Sequence, residues 1–160
     1  MKKHAIALSV ASLFSVSTFA GDYLGVNYKL VEVSAGSLSA EPAVLEVKYG
    51  KMFTNEIALE GRLGFGIADD DDLEADSFVG VFGAYHLDLD AIVTPYGLLG
   101  YSRTKLSEGS ASESRSDISY GFGANIEIDK KSSINVEYTQ LFDKDGLEGT
   151  SFSAGWHYSF

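Results

Sequence analysis

The sequence predicts an all-β protein, an eight-stranded antiparallel up-and-down transmembrane β-barrel, and three observations carry that prediction. Large apolar residues alternate with small or polar ones along segment after segment, the two-residue period of a strand with one greasy face. Eight such segments follow residue 20, and a closed bacterial barrel needs an even number. The connections between them alternate short and long, as tight turns at one membrane face and freer loops at the other would.

Composition agrees without deciding the matter. Seventeen Gly, nine Tyr and ten Phe against two Pro favour pleated surfaces and crowded interiors. The absence of Cys removes disulfides, thiolate metal sites and Cys nucleophiles. The first twenty residues read as an export signal. Lys2, Lys3 and His4 precede the apolar run from Ala5 to Val16, and Thr18-Phe19-Ala20 offers small residues for cleavage after Ala20. That run, broken by Ser9, Ser12 and Ser15, falls short of the roughly 20 residues a spanning helix needs. Residues 21–160 then form the barrel domain. Without Lys2 and Lys3, ten basic residues face twenty-three acids, so no nucleic-acid partner is expected.

The strands are placed at 22–33, 43–53, 56–67, 77–88, 93–106, 117–128, 133–142 and 150–160, each long enough to cross an outer membrane when tilted. In the sixth, Tyr120, Phe122, Ala124, Ile126 and Ile128 oppose Gly121, Gly123, Asn125 and Glu127. The last sets Phe152, Ala154, Trp156, Tyr158 and Phe160 against Ser151, Ser153, Gly155, His157 and Ser159. The third sets Ile57, Leu59, Leu63 and Phe65 against Ala58, Glu60, Arg62, Gly64 and Gly66. The fifth has Pro95 near its start and apolar residues on both faces. Short turns are expected at Thr54-Asn55, 89–92 and 129–132, and longer polar loops at 34–42, 68–76, 107–116 and 143–149. Both mature termini then share the short-turn side.

A soluble carrier barrel with its apolar face inward would show the same period. The polar face is too rich in Gly, Ala and Ser for a soluble exterior, and the apolar face too aromatic, so polar-in is the reading. The lumen then holds Lys29, Lys48 and Arg62 with Glu46, Glu60, Glu127 and Glu137. Buried ions must pair, and eight strands leave room for little besides side chains, so a salt-bridged plug is expected rather than a water-lined path. Tyr23, Tyr49, Phe53, Tyr85, Trp156, Tyr158 and Phe160 are assigned to interfacial girdles. The acidic run Asp69, Asp70, Asp71, Asp72, Glu74 and Asp76 lacks the spacing of a calcium loop and reads as a solvated loop. His86, His157 and Ser159 have no local acid to make a catalytic set. No catalytic, cofactor or metal residue is expected.

The motifs Pro95-Tyr96-Gly97-Leu98-Leu99-Gly100-Tyr101, Tyr120-Gly121-Phe122-Gly123-Ala124 and Trp156-His157-Tyr158-Ser159-Phe160, together with the signal segment, resemble the outer-membrane β-barrel domain family. That group includes OmpA-like and OmpX-like eight-stranded barrels and "porin family" proteins, and the resemblance covers residues 21–160. It implies a Gram-negative outer-membrane address, with outer-membrane lipid and lipopolysaccharide as surroundings. It also implies Trp156, Tyr158 and Phe160 as the signal read by the barrel assembly machinery. The chain departs from full-length OmpA in lacking a peptidoglycan-binding domain, so a wall-tethering role is not expected. The expected function is a monomeric, non-enzymatic envelope barrel with short acidic loops contributing to envelope structure or surface interaction. The alternatives are a lipid-modifying barrel enzyme and a soluble periplasmic lipocalin-like carrier.

Overall fold

A computed structural model describes residues 21–35, 38–68, 73–89, 91–108, 111–144 and 146–160; the signal segment and Asp69–Asp72 lie outside the described residues. Nine strand segments run in chain order: β1 (Tyr23–Ala35), β2 (Leu38–Ala40), β3 (Ala43–Met52), β4 (Ile57–Ala68), β5 (Leu73–His86), β6 (Val93–Glu108), β7 (Ala111–Glu127), β8 (Ser132–Lys144) and β9 (Leu147–Ser159). Each pairs antiparallel with its neighbour, and β1 pairs with β9 from Tyr23↔Ser159 to Ala35↔Leu147, closing the sheet.

The count of nine reduces to eight barrel strands. Both β2 and β3 lie on β1 in one continuous register, Val33↔Ala40 and Leu30↔Ala43. Between them Val31 N–H donates to the Pro42 carbonyl at 3.0 Å. Pro42 lacks the N–H that would continue the ladder, so one strand is assigned as two pieces.

The two ends of the barrel differ. One, the turn end, carries both described termini and the connections 53–56, 87–92 and 128–131. At the other, the hairpin end, the strands run well beyond the expected boundaries, with β6 and β7 paired as far as Glu108↔Ala111. The loops expected at 107–116 and 143–149 are therefore largely β-ladder. Beyond the apolar belt no face needs to be greasy, so the ladder continues where the alternation that signals it has faded.

The outer wall is apolar, with Leu99, Ile118 and Phe122 each more than 60% exposed. Inside, the lumen is layered. Toward the hairpin end Val31, Val33, Val44, Phe78, Phe82, Leu106, Leu141 and Phe142 form an apolar core, so the interior is less polar than expected. A register shift between Gln140 and Phe142 turns the adjacent Leu141 and Phe142 both inward, as a bulge does. Lumenal Gly residues make room for these rings: a Cβ at Gly149 would strike Phe142, and one at Gly80 would strike Phe82.

Tyr23 corrects the expected girdle. It shares the inward parity of Asn27 and Lys29 and is 6% exposed. Gly50 faces it, and a Cβ there would fall on the Tyr23 ring. Tyr85, Phe53, Trp156 and Phe160 do face outward.

Candidate functional site

The middle of the lumen concentrates the charge. Strand β1 contributes Asn27 and Lys29, β3 Glu46 and Lys48, β4 Glu60 and Arg62, and β8 Asn135, Glu137 and Thr139, all buried because alternation turns them away from lipid. Lys29 Nζ pairs with Glu46. Arg62 donates from Nε to Glu60 at 2.7 Å and from Nη2 to the same carboxylate. Its Nη1 and Nη2 reach the two oxygens of Glu137 at 2.5 and 2.9 Å, the two-pronged geometry that suits guanidinium to carboxylate. Lys48 Nζ lies 3.3 Å from Glu137 and donates to Asn135 Oδ1 at 3.1 Å.

Neutral donors complete the set. The Tyr96 hydroxyl donates to Glu137 at 2.6 Å, and the Tyr23 hydroxyl donates to Glu60. Asn135 Nδ2 donates to the Tyr96 oxygen at 2.7 Å and to Asn125 Oδ1 at 2.8 Å. Asn27 Nδ2 donates to Glu46 at 3.3 Å, and Thr139 Oγ1 to Glu137 at 3.0 Å. Lys29 Nζ and the Arg62 guanidinium also lie over Phe78 and Phe82, 4.1 and 4.5 Å from the ring centroids, so the aromatic half of the lumen meets the charged half through cation–π contact. Three cations thus balance three carboxylates with nearly every polar atom engaged, the condition under which buried ions are tolerated.

Six of the seven sequence-identified lumen residues meet here. The seventh, Glu127, does not join them. It lies on the inward row of β7 but past the cluster, exposed at the turn end. Of the neutral partners, Asn125 already stands on the inward row read from the sequence and Tyr23 on the expected girdle; Asn27, Tyr96 and Asn135 escape that reading, although inward parity beside the charged positions marks most of them.

Below the cluster a cavity of about 180 Å³ opens at the turn end, lined by Tyr23, His86, Asn125, Glu127 and His157 among others. His157 stacks on Tyr23 at 5.5 Å, and His86 meets its edge at 6.0 Å. His86 Nδ1 and His157 Nε2 have no hydrogen-bond partner, so no acid orients either ring through these nitrogens. Among the described residues no three His, Asp or Glu side chains group as metal ligands. At the mouth, Asp129 accepts from Lys131 N–H at 2.9 Å and Ser132 N–H at 3.0 Å. These bonds, the one from Lys131 first, hold its carboxyl below the usual carboxylate range.

On the outer wall Trp156, Tyr158 and Phe160 form a continuous aromatic row, with ring centroids 5.8 and 5.6 Å apart. Phe160 N–H donates to the Asp22 carbonyl at 2.9 Å, tying the last residue to the one that precedes β1.

Solved structures of other outer-membrane proteins share this architecture. Ail, the attachment invasion locus protein of Yersinia pestis, matches at 22% identity over 89% of this chain and all of its own, with a TM-score of 0.64. Ail has also been solved in complex with the heparin analogue sucrose octasulfate. Neisserial surface protein A matches at 15% identity over 88% of this chain and 98% of its own, with a TM-score of 0.63. OprG of Pseudomonas aeruginosa matches at 12% over 89% and 97%, with a TM-score of 0.61. No curated protein matches the chain by sequence. The model of the outer membrane protein beta-barrel domain matches residues 5–160. With its closed eight-stranded wall facing lipid, the chain belongs to that family and resides in the outer membrane of a Gram-negative bacterium.

Proposed function

We propose that this protein is a non-enzymatic, monomeric envelope barrel with a closed lumen, contributing to envelope structure and surface contact through its hairpins. The observation that carries this reading is the ion-paired cluster of Lys29, Glu46, Lys48, Glu60, Arg62 and Glu137, buried throughout, with an apolar layer stacked on it. Moving an ion past it would mean breaking salt bridges and wetting Phe78, Phe82 and Leu141. Planar bilayer recordings on the refolded protein should show no stable open-channel current. Steady porin-like conductance would overturn the closed lumen.

In this reading residues 1–20 are cleaved after Ala20, the turn end faces the periplasm and the hairpins face outward, with outer-leaflet lipopolysaccharide around them. The hairpin end is acidic: Glu32, Glu74, Glu108, Glu113 and Asp143 all fall there. A polyanion of the kind bound to Ail is poorly matched to such tips. A lipid-modifying enzyme would need a nucleophile with an oriented base near the outer leaflet. His157 sits at the opposite end, and its Nε2 has no hydrogen-bond partner. An unchanged lipid A profile in a deletion strain is the expected result.

Trp156, Tyr158 and Phe160 are proposed as the contact for the assembly machinery. Deleting Phe160 should lower the outer-membrane content of heat-modifiable barrel several-fold, whereas deleting the exposed hairpin residue Gly146 should not. Equal amounts in both strains would count against the assignment.

A further inference from the structure

Just above the apolar belt the exposed charges differ from strand to strand. Among the described side chains of β1, β8 and β9, the exposed charges above the apolar belt are the acids Glu32, Asp143 and Glu148. On β6 the outward row instead runs Leu99, Tyr101, Arg103, Lys105. Tyr101 is 58% exposed, and across the ladder Arg103 lies between Val79 and Ser116. Ile118 and Val79 are exposed lipid-facing residues. Arg103 is therefore the first charge met on leaving the hydrocarbon belt on this side. Among the described residues Arg103 and Lys105 are the exposed outward-facing cations at the hairpin end. Lys105 is held by Asp76 at 2.9 Å, which fixes its position; Arg103 enters no ion pair among the described residues.

An exposed, uncommitted guanidinium at the depth where hydrocarbon gives way to headgroups, flanked by an aromatic ring and a second cation, suits a phosphate attached to a lipid. We infer that Arg103 and Lys105 form a binding site on the β6 face for a phosphate of the outer-leaflet glycolipid. Tyr101 and Val79 pack against the acyl chains beneath it. The site rests on the proposed orientation, with the hairpins outward. It gives the barrel a preferred lipid-binding face, because the acidic residues of β1, β8 and β9 repel the same phosphates.

The test titrates the full-length mature protein, refolded in neutral detergent micelles, with bisphosphoryl lipid A, enzymatically dephosphorylated lipid A, phosphatidylglycerol and inorganic phosphate. Bound lipid is read by native mass spectrometry. Wild type should bind bisphosphoryl lipid A best. R103Q should weaken that binding by about fivefold and R103Q/K105Q further, on the scale of one surface cation each. R103K should retain part of the affinity, and E32Q should lose none. Unchanged affinity in R103Q/K105Q, or equal binding of dephosphorylated lipid A, would overturn the site. Equal binding of phosphatidylglycerol or free phosphate would overturn its assignment to the glycolipid. Heat-modifiable gel mobility, measured on each variant, reports separately whether the barrel itself is intact. Protease accessibility of the hairpins on whole cells tests the orientation alone.

Discussion

Replacing Arg62 with Met is expected to cost the folded barrel about 3–5 kcal/mol, the range seen when one member of a buried ion pair is removed. The guanidinium contacts Glu60 and both oxygens of Glu137 and lies 3.9 Å from Glu46. Its removal leaves three carboxylates with two cations in a space from which water is excluded. Lys48 already serves Glu137 from 3.3 Å, and Lys29 is held by Glu46, so neither can cover Glu60. The hydroxyls of Tyr23 and Tyr96 donate hydrogen bonds but bring no charge. Arg62→Lys keeps the charge and loses the fork, and should fall between. The double variant Arg62→Met with Glu137→Gln restores neutrality and should recover a large part of the loss. Urea titration of reversible folding in micelles, with gel mobility reporting the closed state, gives the free energies, and the cycle isolates the pair. If Arg62→Met were as stable as wild type, or the double variant no better than the single, the cluster would not hold the lumen together.

How much of this site was legible differs between the two halves of the barrel. Parity alone turned Lys29, Glu46, Lys48, Glu60, Arg62 and Glu137 inward, because charges cannot face lipid and the opposite rows are greasy. What parity cannot supply is depth. Arg62 meets Glu137 although β4 and β8 are not neighbours, because strand tilt and stagger set which levels face each other across a closed barrel. The β5 half was harder still. Phe78-Val79-Gly80-Val81-Phe82 is apolar on both faces, and nothing local says that the phenylalanines turn in while the valines turn out. The glycines decide it: room for the Phe82 ring exists only where Gly80 and Gly100 present no side chain. Tyr23 was misplaced for a related reason. Its position near a strand end suggests a girdle, but its parity with Asn27 and the space beside Gly50 put it in the lumen. The long hairpins went unseen because above the membrane a strand no longer needs an apolar face. Hydrogen bonding continues there without leaving a compositional trace.

Gly155→Ala should be among the most damaging single-methyl changes at the described residues. Gly155 faces inward on β9 between Asn27 of β1 and Asn135 of β8, at the seam where the first and last strands close the barrel. A Cβ there would fall on the Val26 carbonyl oxygen and Asn27 Oδ1, and would lie 2.6 Å from Asn27 Cα. Two of these three atoms are backbone, so the clash is relieved only by moving β1 away from β9. That movement would break ladder hydrogen bonds in the pairing most remote in sequence, which closes against the greatest chain entropy. A cost of about 3 kcal/mol, the upper range for overpacking, is expected, together with a smaller heat-modifiable fraction after refolding. Gly61→Ala is the matched control, since a Cβ at Gly61 meets nothing within 4 Å. It should change stability by less than about 0.5 kcal/mol. Adding Asn27→Ala to Gly155→Ala removes the side-chain part of the clash and leaves the carbonyl part, so rescue should be partial. Full rescue would mean that Asn27 Oδ1 alone excludes the methyl group. No loss in Gly155→Ala would mean that the seam closes with more room than its register implies.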